Sequence, residues 1–135
     1  METEVQAQAF VNWFPGTKIG CLRIHQVQTR QEVADSHMKD FEEKGTKQLW
    51  GWVHPTAVAR ACLAVVEHAD EFEGCEVFNV HAPTIAHDMS SRELARKYHP
   101  NTKLRDGFAE KERSQAFWST AKIERVLGWR HAETE

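Results

Sequence analysis

The scarcest functional side chain in this sequence is tyrosine. Tyr98 stands alone, and the residue four positions on is Thr102. That excludes a phenol acidified by a lysine one helical turn away. Glycine is also thin, at positions 16, 20, 45, 51, 74, 107 and 128. No pair of these has the spacing that lets a backbone approach a pyrophosphate between a strand and a helix, and neither phosphate-loop nor nucleophile-elbow spacing occurs. The three cysteines, Cys21, Cys62 and Cys75, are odd in number and form no C-x-x-C pair. A disulfide framework and a zinc knuckle are both disfavoured, and a reducing, cytoplasmic setting is the default expectation. No apolar run is long enough to span a bilayer, and the acidic start Met1-Glu2-Thr3-Glu4 does not resemble a secretory signal. A net charge of −3 offers no basic field, so a nucleic-acid partner is not expected.

What is present reads as one ordinary globular unit. The 135 residues are 41% hydrophobic and 27% charged, enough to bury a core, with Lys and Arg scattered among acids. Val5, Ala9 and Trp13 recur at i, i+4 and i+8 with Phe10 beside them, which predicts a helix over 3–14 stopped by Pro15-Gly16. Lys18 to Arg23 reads as a buried parallel strand. Ala34, Met38 and Phe41 predict a polar helix over 29–44 ending near Gly45. Leu49 to Val53 reads as a short strand or extended link, and Thr56 as the cap of a helix striped by Val58, Ala61, Cys62 and Val65. Glu71 to Gly74 reads as a loop and Glu76 to Val80 as a second strand. The middle of the chain is thus a strand–helix–strand crossover, expected to be right-handed. Beyond Pro83, Ser90 or Ser91 caps a helix holding Leu94, Ala95 and Tyr98. Ser119 caps a last helix holding Ile123, Val126 and Leu127, closed by Gly128, with Trp129 folding back over the cap.

Aromatic and imidazole side chains are the candidates for chemistry. Trp50 and Trp52 flank Gly51, so an extended backbone would point both to one face, either as packing or as a ligand wall. Trp13, Trp118 and Trp129 read mainly as packing. Of eight histidines, His81 and His87 with Asp88 are the nearest to a cluster, but they lie on an expected loop without ligand spacing. They read as surface or hydrogen-bonded groups, and no metal site is expected.

Four segments, in order, resemble the NAD-dependent epimerase/dehydratase family of extended short-chain dehydrogenases. Ile19-Gly20-Cys21-Leu22-Arg23-Ile24 is similar to the family strand ending "L-R-P". Leu49 to Ala61 resembles its aromatic-Val-His segment entering a helix, Glu76 to Val80 its late "V-[FY]-N-[VI]" strand, and Ser119 to Trp129 its C-terminal "S-x-K-A-x-x-x-L-G-W". The resemblance implies an α/β fold: the C-terminal part of a Rossmann-type parallel sheet over 1–82, then a small, mostly helical substrate-side cap over 83–135. Residues 1–14 would match the helix just after the family's catalytic tyrosine and lysine. The loop after the first strand would lie by cofactor and substrate, which puts Ile24 and His25 by NAD or NADP, and Gln26 and Val27 by the substrate. Ile24 stands where the family has proline. Lys47 and Trp50 occupy the neighbourhood of an arginine that binds phosphate in sugar-nucleotide members. An indole there cannot supply a bidentate charge-assisted contact, so a general NAD(P)-dependent oxidoreductase or epimerase is a better expectation than a sugar-nucleotide enzyme. The paired Asp of the family is Thr56-Ala57, and Asn79 is read as a strand-end hydrogen-bonding residue.

Three readings compete. The first is a substrate-side portion of such an enzyme, lacking the glycine-rich turn and the Tyr-x-x-x-Lys pair, inactive alone and binding no cofactor alone, whose partner is a missing N-terminal half. The second is a binding or dimerisation module without catalysis, acting as a homodimer or on a small molecule. The third, an independent His or acid enzyme, finds no nucleophile–base pair on adjacent elements. If the first holds, Ile19, Leu22 and Phe78 are expected on an uncovered face.

Overall fold

In the computed structural model, residues 2–35 and 43–132 are described. The architecture is mixed α/β, with a two-stranded parallel sheet of β1 (Ile19–Ile24) and β4 (Cys75–Val80) at its centre. The register runs from Ile19 opposite Cys75 to Ile24 opposite Val80. A second, shorter parallel pair joins β2 (Gln26–Val27) to β3 (Trp52–Val53). The helices are α1 (Glu2–Trp13), α2 (Arg30–Asp35), α3 (Pro55–Glu67), α4 (Ser91–Tyr98) and α5 (Ala121–Leu127).

α1 lies on one face of the central pair and α3 with α5 on the other. Gly20 marks the α3 face: a Cβ there would stand 2.5 Å from Cγ1 of Val65, so the strand and helix approach too closely for a larger residue. Phe78 and Val80 of β4, Ala57 and Ala61 of α3, and Ile123 and Leu127 of α5 form the main core, with Val53, Phe72 and Trp129. That core crosses the expected division at residue 82, because α5 returns to cover β4.

Several local expectations hold with their reasons. Gly128 takes a left-handed φ of 65° at the end of α5, and Trp129 folds back so that its indole Nε1 donates to the Ala57 carbonyl at 3.0 Å. Ser90 and Glu93 form a reciprocal capping box at the start of α4. Asn79 donates to the Ser119 carbonyl at 3.1 Å, tying the strand end to the segment before α5.

Other expectations are corrected. On α1 the buried residues are Ala7 and Val11; Val5, Phe10 and Trp13 point outward, Trp13 with 74% of its surface exposed. The apolar stripe therefore lies on the outer face, because the small residues are what allow the helix to sit close to the sheet. On α2 it is Val33, not Ala34, that packs inward; Met38 and Phe41 lie outside the described residues. Only Trp52 and Val53 of the expected strand over 49–53 are extended, since Leu49 and Trp50 adopt φ of 50° and 53°. The cap of α3 is His54, whose ring accepts from the Thr56 amide at 3.4 Å, with Pro55 in the first helical position. Cys62, expected on the inner stripe, is exposed. Thr120 is the capping residue of α5, although the Ser119 hydroxyl accepts from the Ala121 amide at 3.2 Å. Phe72, expected in a loop, is buried core. Between Pro83 and Thr120 the described chain is mostly irregular, with α4 as its one helix, so the expected helical cap is largely loop.

Candidate functional site

Both central strands run in the same direction and end together. His25 follows β1 and His81 follows β4, and the His25 amide donates to the Val80 carbonyl at 3.2 Å. Immediately afterwards the chain turns into β2, which is held to β3. The Ala82 amide donates to the Trp52 carbonyl at 2.7 Å and the Gln28 amide to the Val53 carbonyl at 3.0 Å. The carboxyl ends of parallel strands are where open α/β sheets bind ligands, because the loops diverge there and leave a crevice.

A cleft of about 380 Å³ opens at this end, lined by Arg23, Ile24, His25 and Gln26 from the strand end, Lys47 and Gln48 from the turn Gly45–Gln48, and Trp118. Four of the six residues implicated by the sequence, Ile24, His25, Gln26 and Lys47, thus share one wall system. Val27 does not line it and is exposed. Trp50 is 1% exposed and packs with Ile85 and Leu94, which leaves it no surface for a ligand; its ring closes on Tyr98 at 5.7 Å and Phe117 at 6.1 Å. The left-handed backbone at Leu49 and Trp50 turns that indole away from the face used by Trp52, so the two tryptophans enter different clusters. Gly45 makes room for it, since a Cβ there would meet Cδ1 of Trp50 at 2.3 Å.

His25 is the chemical centre of the cleft. Its ring lies 5.1 Å from that of His81 and 5.9 Å from that of Trp118. Gly51 abuts it so closely that a Cβ would fall 2.2 Å from Nδ1. Burial, reinforced by repulsion from a charged His81, pushes the His25 pKa down to about 4. Burial also lowers the pKa of His81, against a hydrogen bond at 2.6 Å between Nδ1 and the Ala82 carbonyl. A carbonyl only accepts, so that nitrogen carries the proton. Both imidazoles are neutral at physiological pH.

Charge at the cleft comes from Arg23 and Lys47. Arg23 is committed to α1 through two 2.8 Å bonds to Glu4, a fork that fixes the strand end. Lys47 is exposed and makes no ion pair among the described residues. The site therefore offers one available cation, a neutral imidazole and an indole wall. It can bind and orient a small anionic or planar group. It holds no hydroxyl or thiol among its lining residues, and no group of three metal-ligating side chains occurs among the described residues.

The sequence did not reveal Arg23, Gln48 or Trp118 as part of the site, and Trp118 is the most distant of them in the chain. It is 45% exposed, whereas packing was expected. It sits in an irregular stretch where no periodicity separates an inward from an outward aromatic. It also borders a second, larger hollow of about 700 Å³ that includes His81, Lys103 and Arg105. Comparison of the chain with protein-family models and with curated proteins finds no match in either.

Proposed function

We propose that this chain is the C-terminal, substrate-side portion of an NAD(P)-dependent epimerase/dehydratase-like oxidoreductase, acting only together with a dinucleotide-binding half. The observation that carries the reading is the cleft at the shared carboxyl end of β1 and β4. Ile24, His25, Gln26 and Lys47 line that cleft together, and in this reading the first two would face the cofactor's nicotinamide end and the last two the substrate. The role of the chain in such an assembly is to bind and orient substrate, to keep an uncharged imidazole beside it, and to exclude water with Trp118. NAD or NADP would supply the hydride chemistry from the other half. The outer edge of β1, which no strand covers among the described residues, and the apolar outer face of α1 with Phe10, Trp13 and Phe14 are the surfaces that half would cover. The setting proposed is cytoplasmic, in keeping with three unbridged cysteines; no helix among the described residues is long and apolar enough to cross a membrane.

Titration of the chain with NAD and with NADP, followed by calorimetry, tests this. No saturation is expected in the micromolar range typical of such cofactors. Saturable micromolar binding to the chain alone would overturn the division of labour. The coding frame upstream of Met1 gives a second test: the reading requires a glycine-rich turn and a Tyr-x-x-x-Lys pair there.

A non-catalytic binding or dimerisation module derived from the same family is favoured by one observation. Phe78, expected on an uncovered face, is wholly buried, so its face of β4 is covered by this chain alone. A cooperative unfolding transition with no hydrophobic-dye binding by the isolated chain would select the module.

A further inference from the structure

Two of the three thiols stand together where the site does not use them. Cys21 of β1 and Cys75 of β4 bring their sulfurs to 3.8 Å, and both side chains are partly exposed. The register pairs Cys21 with Val77 and Ile19 with Cys75, so the two cysteines sit diagonally on one face of the central pair, beneath α1. Cys62, on the outer side of α3, is exposed.

We propose that Cys21 and Cys75 are a reversible redox pair that closes to a strained cross-strand disulfide. The geometry decides its character. The sulfurs must close by about 1.8 Å to reach bonding distance. Positions one strand across and two residues along in a parallel pair stand roughly 8 Å apart at Cα, beyond the roughly 4.4–6.8 Å of relaxed disulfides. Formation therefore needs movement of the strand backbone, and the bridge stores strain. Strained disulfides are the easily reduced, regulatory ones, while relaxed bridges in secreted proteins resist the glutathione pool. Cys75 holds its proton in the resting state, because burial and the neighbouring Cys21 sulfur push its pKa up. Both thiols are free in the structure, and the pair closes only when a disulfide oxidant is supplied.

The step balances with a low-molecular-weight disulfide such as oxidised glutathione. One cysteine thiolate attacks it, forms a mixed disulfide and releases one reduced glutathione. The second thiolate then attacks the cysteine sulfur of that mixed disulfide and releases another. Two protein thiols are oxidised by two electrons, and one glutathione disulfide is reduced to two thiols. Because β1 ends in Arg23, Ile24 and His25, backbone movement that closes the bridge also displaces one wall of the cleft.

The test uses the full chain carrying Cys62→Ser, treated with oxidised glutathione and then digested. A peptide joining residues 21 and 75 is expected, with an intact mass about 2 Da lower and complete reversal under a tenfold excess of reduced glutathione. C21S and C75S variants are expected to give only a glutathione adduct on the remaining thiol. Glutathione adducts on both cysteines without a joined peptide would overturn the proposal, as would no reaction at either. A joined peptide that survives the excess of reduced glutathione would also overturn it, because the bridge would then be a relaxed staple.

Discussion

β1 and β4 are hydrogen-bonded neighbours of equal length, yet they live in different environments. β4 buries Phe78 and Val80 completely, while no residue of β1 is fully buried and Arg23 and Ile24 are exposed. The difference has a simple origin. β4 is covered by α1 on one face and by α3 and α5 on the other, and Trp129 closes the end of that layer. β1 shares α1 and α3, but α5 packs mainly on β4, and the outer edges of both strands lack a partner strand among the described residues. Both strands therefore keep an open outer edge among the described residues, and they differ in how far their side chains are covered. A parallel sheet is ordinarily buried on both faces and continued at its edges, and among the described residues this one is open at both edges.

The largest effect expected from breaking this contrast is at Phe78. Phe78→Ala removes a fully buried ring and should cost about 3–5 kcal/mol, whereas Leu22→Ala, half-buried at the equivalent register position, should cost clearly less; urea unfolding of both variants measures the gap. Equal losses would mean that β1 is as well packed as β4. Next comes the close approach beneath β1. Gly20→Ala should destabilise by about 1–3 kcal/mol through the clash with Val65, and trimming the partner in Gly20→Ala/Val65→Ala should recover part of it. Full additivity of the two changes would show that the contact is not the cause.

The site at the strand ends gives a pH-dependent sharpening. His25 titrates near 4 in the folded chain and near 6.5 when unfolded, so between those values the unfolded chain binds more protons. Stability contributed by keeping His25 neutral is therefore complete above about pH 6.5 and is lost as the pH falls toward 4. His81, also lowered, acts in the same direction. His25→Gln should flatten this limb in urea melts taken across the window, and an unchanged limb would remove His25 from the account. The smallest effect is one of dynamics. Amides of β1, where no residue is fully buried, should exchange hydrogen faster than those around Phe78 and Val80 of β4, and uniform protection along both strands would erase the distinction.

Much of the local structure was legible in the residues. Gly128 followed by Trp129, a serine at 90 or 91 before Leu94 and the short strand around Phe78 each announce a short-range solution to backbone hydrogen bonding. Four of the six implicated site residues meet in one cleft, because Ile24, His25 and Gln26 are contiguous and follow a strand end. The failures share a different cause. The apolar stripe of α1 identified a helix and missed its buried face, since Val5 and Trp13 point outward while Ala7 and Val11 point in. Periodicity reports that a face exists, but the neighbour that covers it lies elsewhere in the chain. Trp118 was missed for a related reason: an irregular segment has no repeat from which orientation can be read.

The sequence by itself determined the order of the main helices and of the strands β1 and β4, with the stops at Pro15-Gly16 and Gly128, because turn chemistry and side-chain period act within a few residues. Only the tertiary structure decided the rest. It placed Trp50 in the core through two left-handed residues, set Gly51 against His25, and left β1 half-covered beside a β4 that buries Phe78 and Val80. It also made His25 neutral, since desolvation depends on what packs around a ring and not on the residues next to it in the chain.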